Sequence, residues 1–268
     1  PFHEPHEPVA SPPALVAAYR KVARTDNEAQ YFANVANVDN AVGRFVAALD
    51  KLKLRENTLI IFTSDNGPET LARYGGAGRS YGRPGPLRGM KLHTHDAGFR
   101  VAGILNWQGR IKAGQTLDTP LSSLDFLPTF CQLAQTDPPQ EVALDGTSFL
   151  PALHGEPITR KTPLVWAYFN ALNEARVAMR DGRWKVLAKL AKPAGGPIPR
   201  LQNITTRTFP IVPDAQLIDL QIYDVANDIG EEDNLAMSRP ELAKSLKKRL
   251  EERYRELVSH SHVWKAAK

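Results

Sequence analysis

Cysteine is almost missing from this chain of 268 residues. Cys131 stands alone, which excludes an internal disulfide framework and a cysteine-rich zinc site. No run of about eighteen apolar residues occurs, so no segment reads as a membrane span. A strong charge bias is also lacking: 34 Lys+Arg against 29 Asp+Glu leave a net charge of +5, scattered along the chain. That excess is compatible with an anionic substrate and gives no basis for a nucleic-acid partner. The chain opens at Pro1 without a charged-then-apolar leader, so it reads as trimmed or fragmentary and is silent on compartment. No internal repeat is present. What remains is ordinary: 42% hydrophobic and 24% charged residues exclude a disordered or collagen-like chain, and the length allows a large core plus a smaller subdomain.

The opening PFHEPHEPVASPP is too rich in proline for a helix or a central strand and reads as a loop carrying His3 and His6. From about Ala14 to Leu54 the pattern is helical. Val35, Val38, Val42, Phe45, Val46 and Leu49 form a stripe expected to face the core. Asn57 to Ser64 is a short β-branched run that suits a strand buried on both faces of a parallel sheet, ending in Ser64-Asp65-Asn66-Gly67-Pro68. Open α/β sheets place their ligands at such a strand end. Residues 67–90 hold seven glycines and form a long loop of the functional kind. A strand over Arg100–Trp107 and a short helix capped by Asp125 follow. Past Gly155 the texture changes. Leu164–Phe169 reads as a strand and Arg176–Leu187 as a hairpin turning on Asp181-Gly182. Residues 190–215 form a loop, and a final helix opens at Ser238 with Leu242, Leu246, Leu250, Tyr254 and Leu257 buried.

The chemistry-bearing residues each have a bland alternative. Asp65 and Asn66 offer hard oxygens suited to Ca²⁺ or Mg²⁺, or they are simply turn formers. His6, braced by Pro5 and Pro8, is a proton donor or anion contact, or a surface histidine. Lys91, at the exit of the glycine-rich loop, neutralises an oxyanion or merely solubilises. His93 and His95 are a weak zinc pair with no nearby third ligand. The glycines at 75, 76, 78 and 82 fail the dinucleotide fingerprint, and Cys131 sits in an apolar run as a core thiol.

Taken in order, PHEP, NTLIIFTSDNG, PLRGMK, ARVAMRDGRWKVL and QIYDVANDIGEEDNLA resemble the carboxyl-terminal part of the sulfatase family, of the formylglycine-dependent arylsulfatase type, within the alkaline-phosphatase-like superfamily. The resemblance implies an α/β fold. Residues 1–156 would supply the later part of a mixed or parallel sheet sandwiched by helices, and residues 157–268 a small α+β subdomain of antiparallel sheet and closing helix. It also implies sulfate-ester hydrolysis on a sulfated substrate, expected to be a carbohydrate, in a periplasmic or secreted setting.

By the same likeness, Asp65 and Asn66 match calcium ligands for one Ca²⁺. Lys91 matches the lysine on the sulfate and bridging oxygen, and His6 the histidine assisting leaving-group departure; both would be catalytic and substrate-binding. Departures are plain. The nucleophile motif, Cys or Ser followed by x-Pro-x-Arg, is nowhere in these residues, so the formylglycine and the remaining metal ligands would lie upstream and this chain alone is expected to be inactive. Where relatives often carry Glu-Gly-Gly-x-Arg, this chain has Asp96-Ala97-Gly98-Phe99-Arg100. Two alternatives stand beside this reading: a phosphodiester or phosphonate hydrolase of the same superfamily, which Asn66 disfavours because an amide oxygen is a poor zinc ligand, and a non-catalytic glycan-binding relative.

Overall fold

The computed structural model describes residues 2–172 and 174–266. By their internal contacts they form two compact units, Pro1–Arg110 and Ile111–Lys268. The texture change expected at 156/157 falls inside the second of these.

In the first unit the long helical stretch is broken. Helix α1 spans Pro13–Tyr19 and helix α2 spans Asp26–Lys51, with Thr25 between them as the N-cap of α2. Thr25 Oγ1 accepts the Glu28 main-chain N–H at 3.1 Å, and the Glu28 carboxylate accepts the Arg24 N–H at 2.7 Å. Thr-x-x-Glu satisfies the free amides of a helix start, which ends any continuity with α1. The expected core stripe is corrected as well. The buried residues of α2 are Glu28, Ala29, Ala33 and Asn34. Val38, Val42, Val46 and Leu49 are half-buried, while Val35 and Phe45 are exposed, Phe45 by 53%. Small residues near the start of α2 make its closest contacts, packing against Val16 of α1.

Strand β1, Ile60–Phe62, pairs antiparallel with β2, Ile104–Asn106, in register Ile61↔Leu105. All three β1 residues are half-buried, so the strand read as buried on both faces has its flanks partly open among the described residues. Residues 67–90 contain no helix or strand, and helix α3, Asp96–Phe99, closes the stretch that follows.

The second unit begins with helix α4, Phe126–Leu133, and helix α5, Leu150–Leu153. Asp125 stands at the N-cap position of α4, as expected, but its side chain makes no cap bond to that helix. Ser122 is the capping residue of the preceding 3-10 turn, and the fully buried Asp125 carboxylate accepts the N–H groups of Ser122 (2.7 Å) and Thr147 (2.8 Å) and two bonds from Arg160. Cys131 is buried in α4.

A four-stranded antiparallel sheet follows in the order β3-β4-β5-β6: Leu164–Ala171, Glu174–Asp181, Trp184–Ala191 and Gln216–Asp224. The hairpin turn is one residue later than expected, because Asp181 pairs with Trp184 and the turn is Gly182-Arg183. Glycine supplies the positive φ of +56° there. Helix α6, Pro240–Ser259, covers one face with Ala243, Leu246, Leu250, Tyr254 and Val258, so Val258 takes the place foreseen for Leu257, which is half-buried. Ser238 does not cap it. Its hydroxyl turns back to the Leu235 carbonyl, and Arg239 precedes Pro240 at the helix start. Lys185 and Glu231, both fully buried, face each other at 3.8 Å. Lys247 and Lys248 pair with Glu251 and Glu252 along the solvated face of α6.

Candidate active site

All four residues singled out by the sequence lie in the first unit. Asp65 and Asn66 lie just past β1, beyond Thr63 and Ser64; Asp65 is exposed and Asn66 half-buried. The Ser64 hydroxyl donates to the Asn66 carbonyl at 3.1 Å, shaping the bend that turns the two side chains off the strand end. Next in sequence, the buried Gly67 donates its N–H to the Gly98 carbonyl at 2.9 Å. A Cβ on Gly67 would lie 1.6 Å from the Ala97 carbonyl oxygen, so only glycine permits this approach. Gly98 is equally constrained, its own Cβ position being 2.0 Å from the His93 carbonyl oxygen. The altered sequence Asp96-Ala97-Gly98 thus forms a short buried helical turn against which the strand end rests.

Lys91 is tied to the same place. Its main-chain N–H donates to the Pro68 carbonyl at 2.8 Å, two residues beyond Asn66. Its Nζ lies 2.9 Å from His6 Nε2. His6 Nδ1 sits 2.6 Å from the Glu7 carbonyl oxygen, which can only accept. Nδ1 therefore carries the ring proton, and Nε2 offers its lone pair to the Lys91 ammonium. Histidine and lysine, 85 residues apart, are joined, and the lysine is joined through the backbone to the strand end.

The glycine-rich loop is pinned to the start of α2. Tyr81 meets the Thr25 hydroxyl at 2.9 Å, Arg79 Nε donates to Asn27 at 3.1 Å, and Arg83 reaches Glu28 at 3.3 Å. Bonding to the Arg24 side chain and main-chain N–H, aided by the charges of Arg24 and Arg83, outweighs burial and holds the Glu28 carboxyl down at about 2. Glu69 is held below the ordinary carboxylate range: burial opposes ionisation, but Arg73, the Thr70 N–H and the Lys91 charge together prevail. Sequence reasoning missed Glu7, Arg79 and Ser80, which bind one another across the site: Glu7 accepts from the Arg79 N–H at 2.6 Å and the Ser80 hydroxyl at 3.2 Å. Glu7 lies within PHEP, but nothing in the sequence marks its contact with Arg79 and Ser80.

His93 and His95 lie with ring centroids 6.4 Å apart and tilted by 50°. Among the described residues no group of three or more His, Cys, Asp or Glu could hold a metal by itself. Asp65 and Asn66 fit a hard cation in kind, with one charged and one neutral oxygen at a solvent-facing strand end. They fit it in part by number, since Ca²⁺ takes six to eight oxygens.

Steryl-sulfatase of Rattus norvegicus is 36% identical over 137 residues, 51% of this chain and 24% of that protein. N-acetylgalactosamine-6-sulfatase of Canis lupus familiaris is 35% identical over 146 residues, 54% of this chain and 27% of that protein. The crystal structure of Ps i-CgsB superposes with a TM-score of 0.69 at 23% identity, covering 97% of this chain and 54% of that one. The fold is thereby the alkaline-phosphatase-like fold of its structural neighbours. The chain spans about a quarter of the length of these two curated relatives. Residues 1–136, which hold every residue of the candidate site, match the Sulfatase family, and the chain belongs to that family.

Proposed function

We propose that the protein is the later part of a sulfuric ester hydrolase that removes sulfate from a sulfated carbohydrate. The observation that carries this is the His6–Lys91 contact at 2.9 Å, with Lys91 bonded through its main chain to Pro68, just beyond Asp65 and Asn66. A proton-handling group, a fixed cation and two hard oxygen donors at one strand end suit an ester whose cleavage places charge on sulfate and leaving oxygens. Residues 1–156 are proposed as the later part of the catalytic domain and residues 157–268 as its antiparallel subdomain.

In this reading Asp65 and Asn66 hold one Ca²⁺, which when bound supplies positive charge to polarise the sulfate. The attacking hydroxyl is supplied by a hydrated formylglycine outside these residues. Lys91 holds the sulfate and the bridging oxygen by direct charge. His6 moves the proton to the departing oxygen. Its Nε2 carries no proton in the resting geometry and faces the Lys91 ammonium, so it must take up a proton from solvent before it can serve the departing oxygen, and Lys91 keeps its charge. The Glu7 carbonyl keeps the ring oriented while this happens.

A carbohydrate is favoured over a sterol by the loop beside the site. Residues 67–90 present glycines and Arg73, Arg79, Arg83 and Arg88, not the continuous apolar wall a sterol requires. Asn66, an amide oxygen, supports calcium over the zinc of phosphodiester hydrolases. A periplasmic or secreted location is proposed from family membership; no helix among the described residues is long and apolar enough to cross a membrane.

The test is sulfate release from aryl, sugar and steryl sulfates by the full-length gene product after formylglycine maturation. Calcium-dependent release from a sugar sulfate is expected, with none from residues 1–268 alone. Equal turnover after Asp65→Ala and Asn66→Ala together would overturn the reading.

A further inference from the structure

A carboxylate to which the family likeness assigns no role here, Glu7, lies between the imidazole and the glycine-rich loop. Glu7 touches His6 through its carbonyl, which takes the Nδ1 proton at 2.6 Å. Its side chain spans two chain segments: Oε2 accepts the Val9 N–H at 2.8 Å, and Oε1 accepts the Arg79 N–H at 2.6 Å and the Ser80 hydroxyl at 3.2 Å. The strap is doubled by Arg79, whose guanidinium donates back to the Val9 carbonyl at 2.6 Å. Ser80 is 2% exposed, so its bond to Glu7 is sheltered from water.

The segment that Glu7 grips leads to Lys91. A Cβ on Gly82 would come within 2.7 Å of Pro68 Cβ and 2.5 Å of the Glu69 carbonyl oxygen, so the loop two residues beyond Ser80 lies directly on the backbone that follows Asn66. Pro68 in turn accepts the Lys91 N–H, and Lys91 Nζ returns to His6 Nε2. The contacts form a closed circuit: His6, Glu7, Arg79-Ser80, Gly82, Pro68, Lys91 and back to His6. Most of these links are made by backbone or by the Glu7 side chain, so they hold the His6 loop and the Lys91 backbone in a fixed relation.

We propose that Glu7 is a positioning residue. Its carboxylate fixes the proline-bounded loop against Arg79 and Ser80, and that fixes both the tautomer of His6 and the reach of its Nε2 to the position shared by Lys91 and the leaving oxygen. The catalytic meaning of this rests on the sulfatase reading; the geometric claim does not. Glu7→Gln keeps the volume and one accepting oxygen but turns an NH₂ toward a main-chain N–H, and Glu7→Ala removes the strap. A displacement of about 1 Å at a reacting group costs on the order of 10²-fold in rate.

Two readouts test the proposal in the full-length protein. The first is the ¹⁵N shifts of the His6 ring. Wild type should show a protonated Nδ1 and a lone-pair Nε2, and both Glu7 variants should move toward averaged tautomers. Unchanged ring shifts in folded Glu7→Ala or Glu7→Gln overturn the proposal, whatever the activity. The second is a double-mutant comparison in sulfate release. Glu7→Ala should lower kcat about 100-fold in the wild-type background, with Glu7→Gln between. In a His6→Ala background it should lower kcat no further, because its effect passes through the imidazole. A second full loss there means that Glu7 serves general folding and overturns the proposal. If wild type releases no sulfate at all, the functional reading fails while the ring shifts still decide the role of Glu7.

Discussion

Replacing Gly67 by alanine should damage the site more than any other single methyl group added to this chain. The new Cβ would sit 1.6 Å from the Ala97 carbonyl oxygen and 2.7 Å from its carbon, where real Cβ contacts stay beyond 3.0 Å. The two backbones must therefore part by roughly 1.4 Å, the difference between 3.0 and 1.6 Å. Neither obstacle is a side chain that can swing away. Parting them breaks the Gly67 N–H bond to Gly98. Overpacking costs about 1–3 kcal/mol and a buried amide left without its acceptor about 1–3 more, so a loss of about 2–6 kcal/mol in stability is expected. The functional loss should exceed what that implies, because Asp65 and Asn66 precede Gly67 and the Lys91 anchor on Pro68 follows it; a shift of about 1 Å there costs on the order of 10²-fold in kcat/KM. Urea unfolding and sulfate release by the full-length protein measure both. Gly75→Ala, with nothing within 4 Å of its Cβ position, is the control. If Gly67→Ala matches Gly75→Ala in both assays, the close approach is not what holds the strand end.

Three further outcomes follow from the packing. Glu28 has a folded pKa depressed from 4.5 to about 2, so its contribution to stability is complete above the unfolded value and lost as pH falls through the folded one. The stability difference between wild type and Glu28→Gln, by urea midpoint, should stay flat above about pH 5 and shrink from there toward about pH 2. Arg160→Met should cost about 3–5 kcal/mol by leaving the fully buried Asp125 carboxylate without its counter-charge, and adding Asp125→Asn should recover part of it. Tyr254→Phe removes the donor to the buried Val212 carbonyl at 2.8 Å and should cost about 1–2 kcal/mol, read as a lower urea midpoint.

The strand end was legible because its signal is local: a β-branched run stopped by Ser64-Asp65-Asn66-Gly67, and β1 ends at Phe62, two residues before Ser64. The hairpin of β4 and β5 and helix α6 were legible for the same reason, in a turn glycine and in a three-and-four stripe, whereas β6 was not read as a strand. Partners distant in sequence were not. Nothing in the spacing of His6 and Lys91 shows that they meet, and family likeness alone placed them in one site. Glu7 left no trace, since a glutamate between prolines looks the same whether it faces water or holds Arg79 and Ser80. Other misses were competitions between two local signals. Thr25-Asp26-Asn27-Glu28 is a helix-start signature that lost, in reading, to the longer helical pattern around it. Asp125 looks like a cap but is taken by Arg160, 35 residues away. The α2 stripe has the periodicity of a buried face, yet Val35 and Phe45 on it are exposed. Periodicity reports that a face is apolar, not what covers it.

The most direct measurement is the metal content of the full-length protein, compared between wild type and the variant carrying Asp65→Ala and Asn66→Ala. One tightly held calcium per chain in wild type and its loss in the variant is the predicted result. Equal calcium in both proteins, or stoichiometric zinc in its place, would contradict the account.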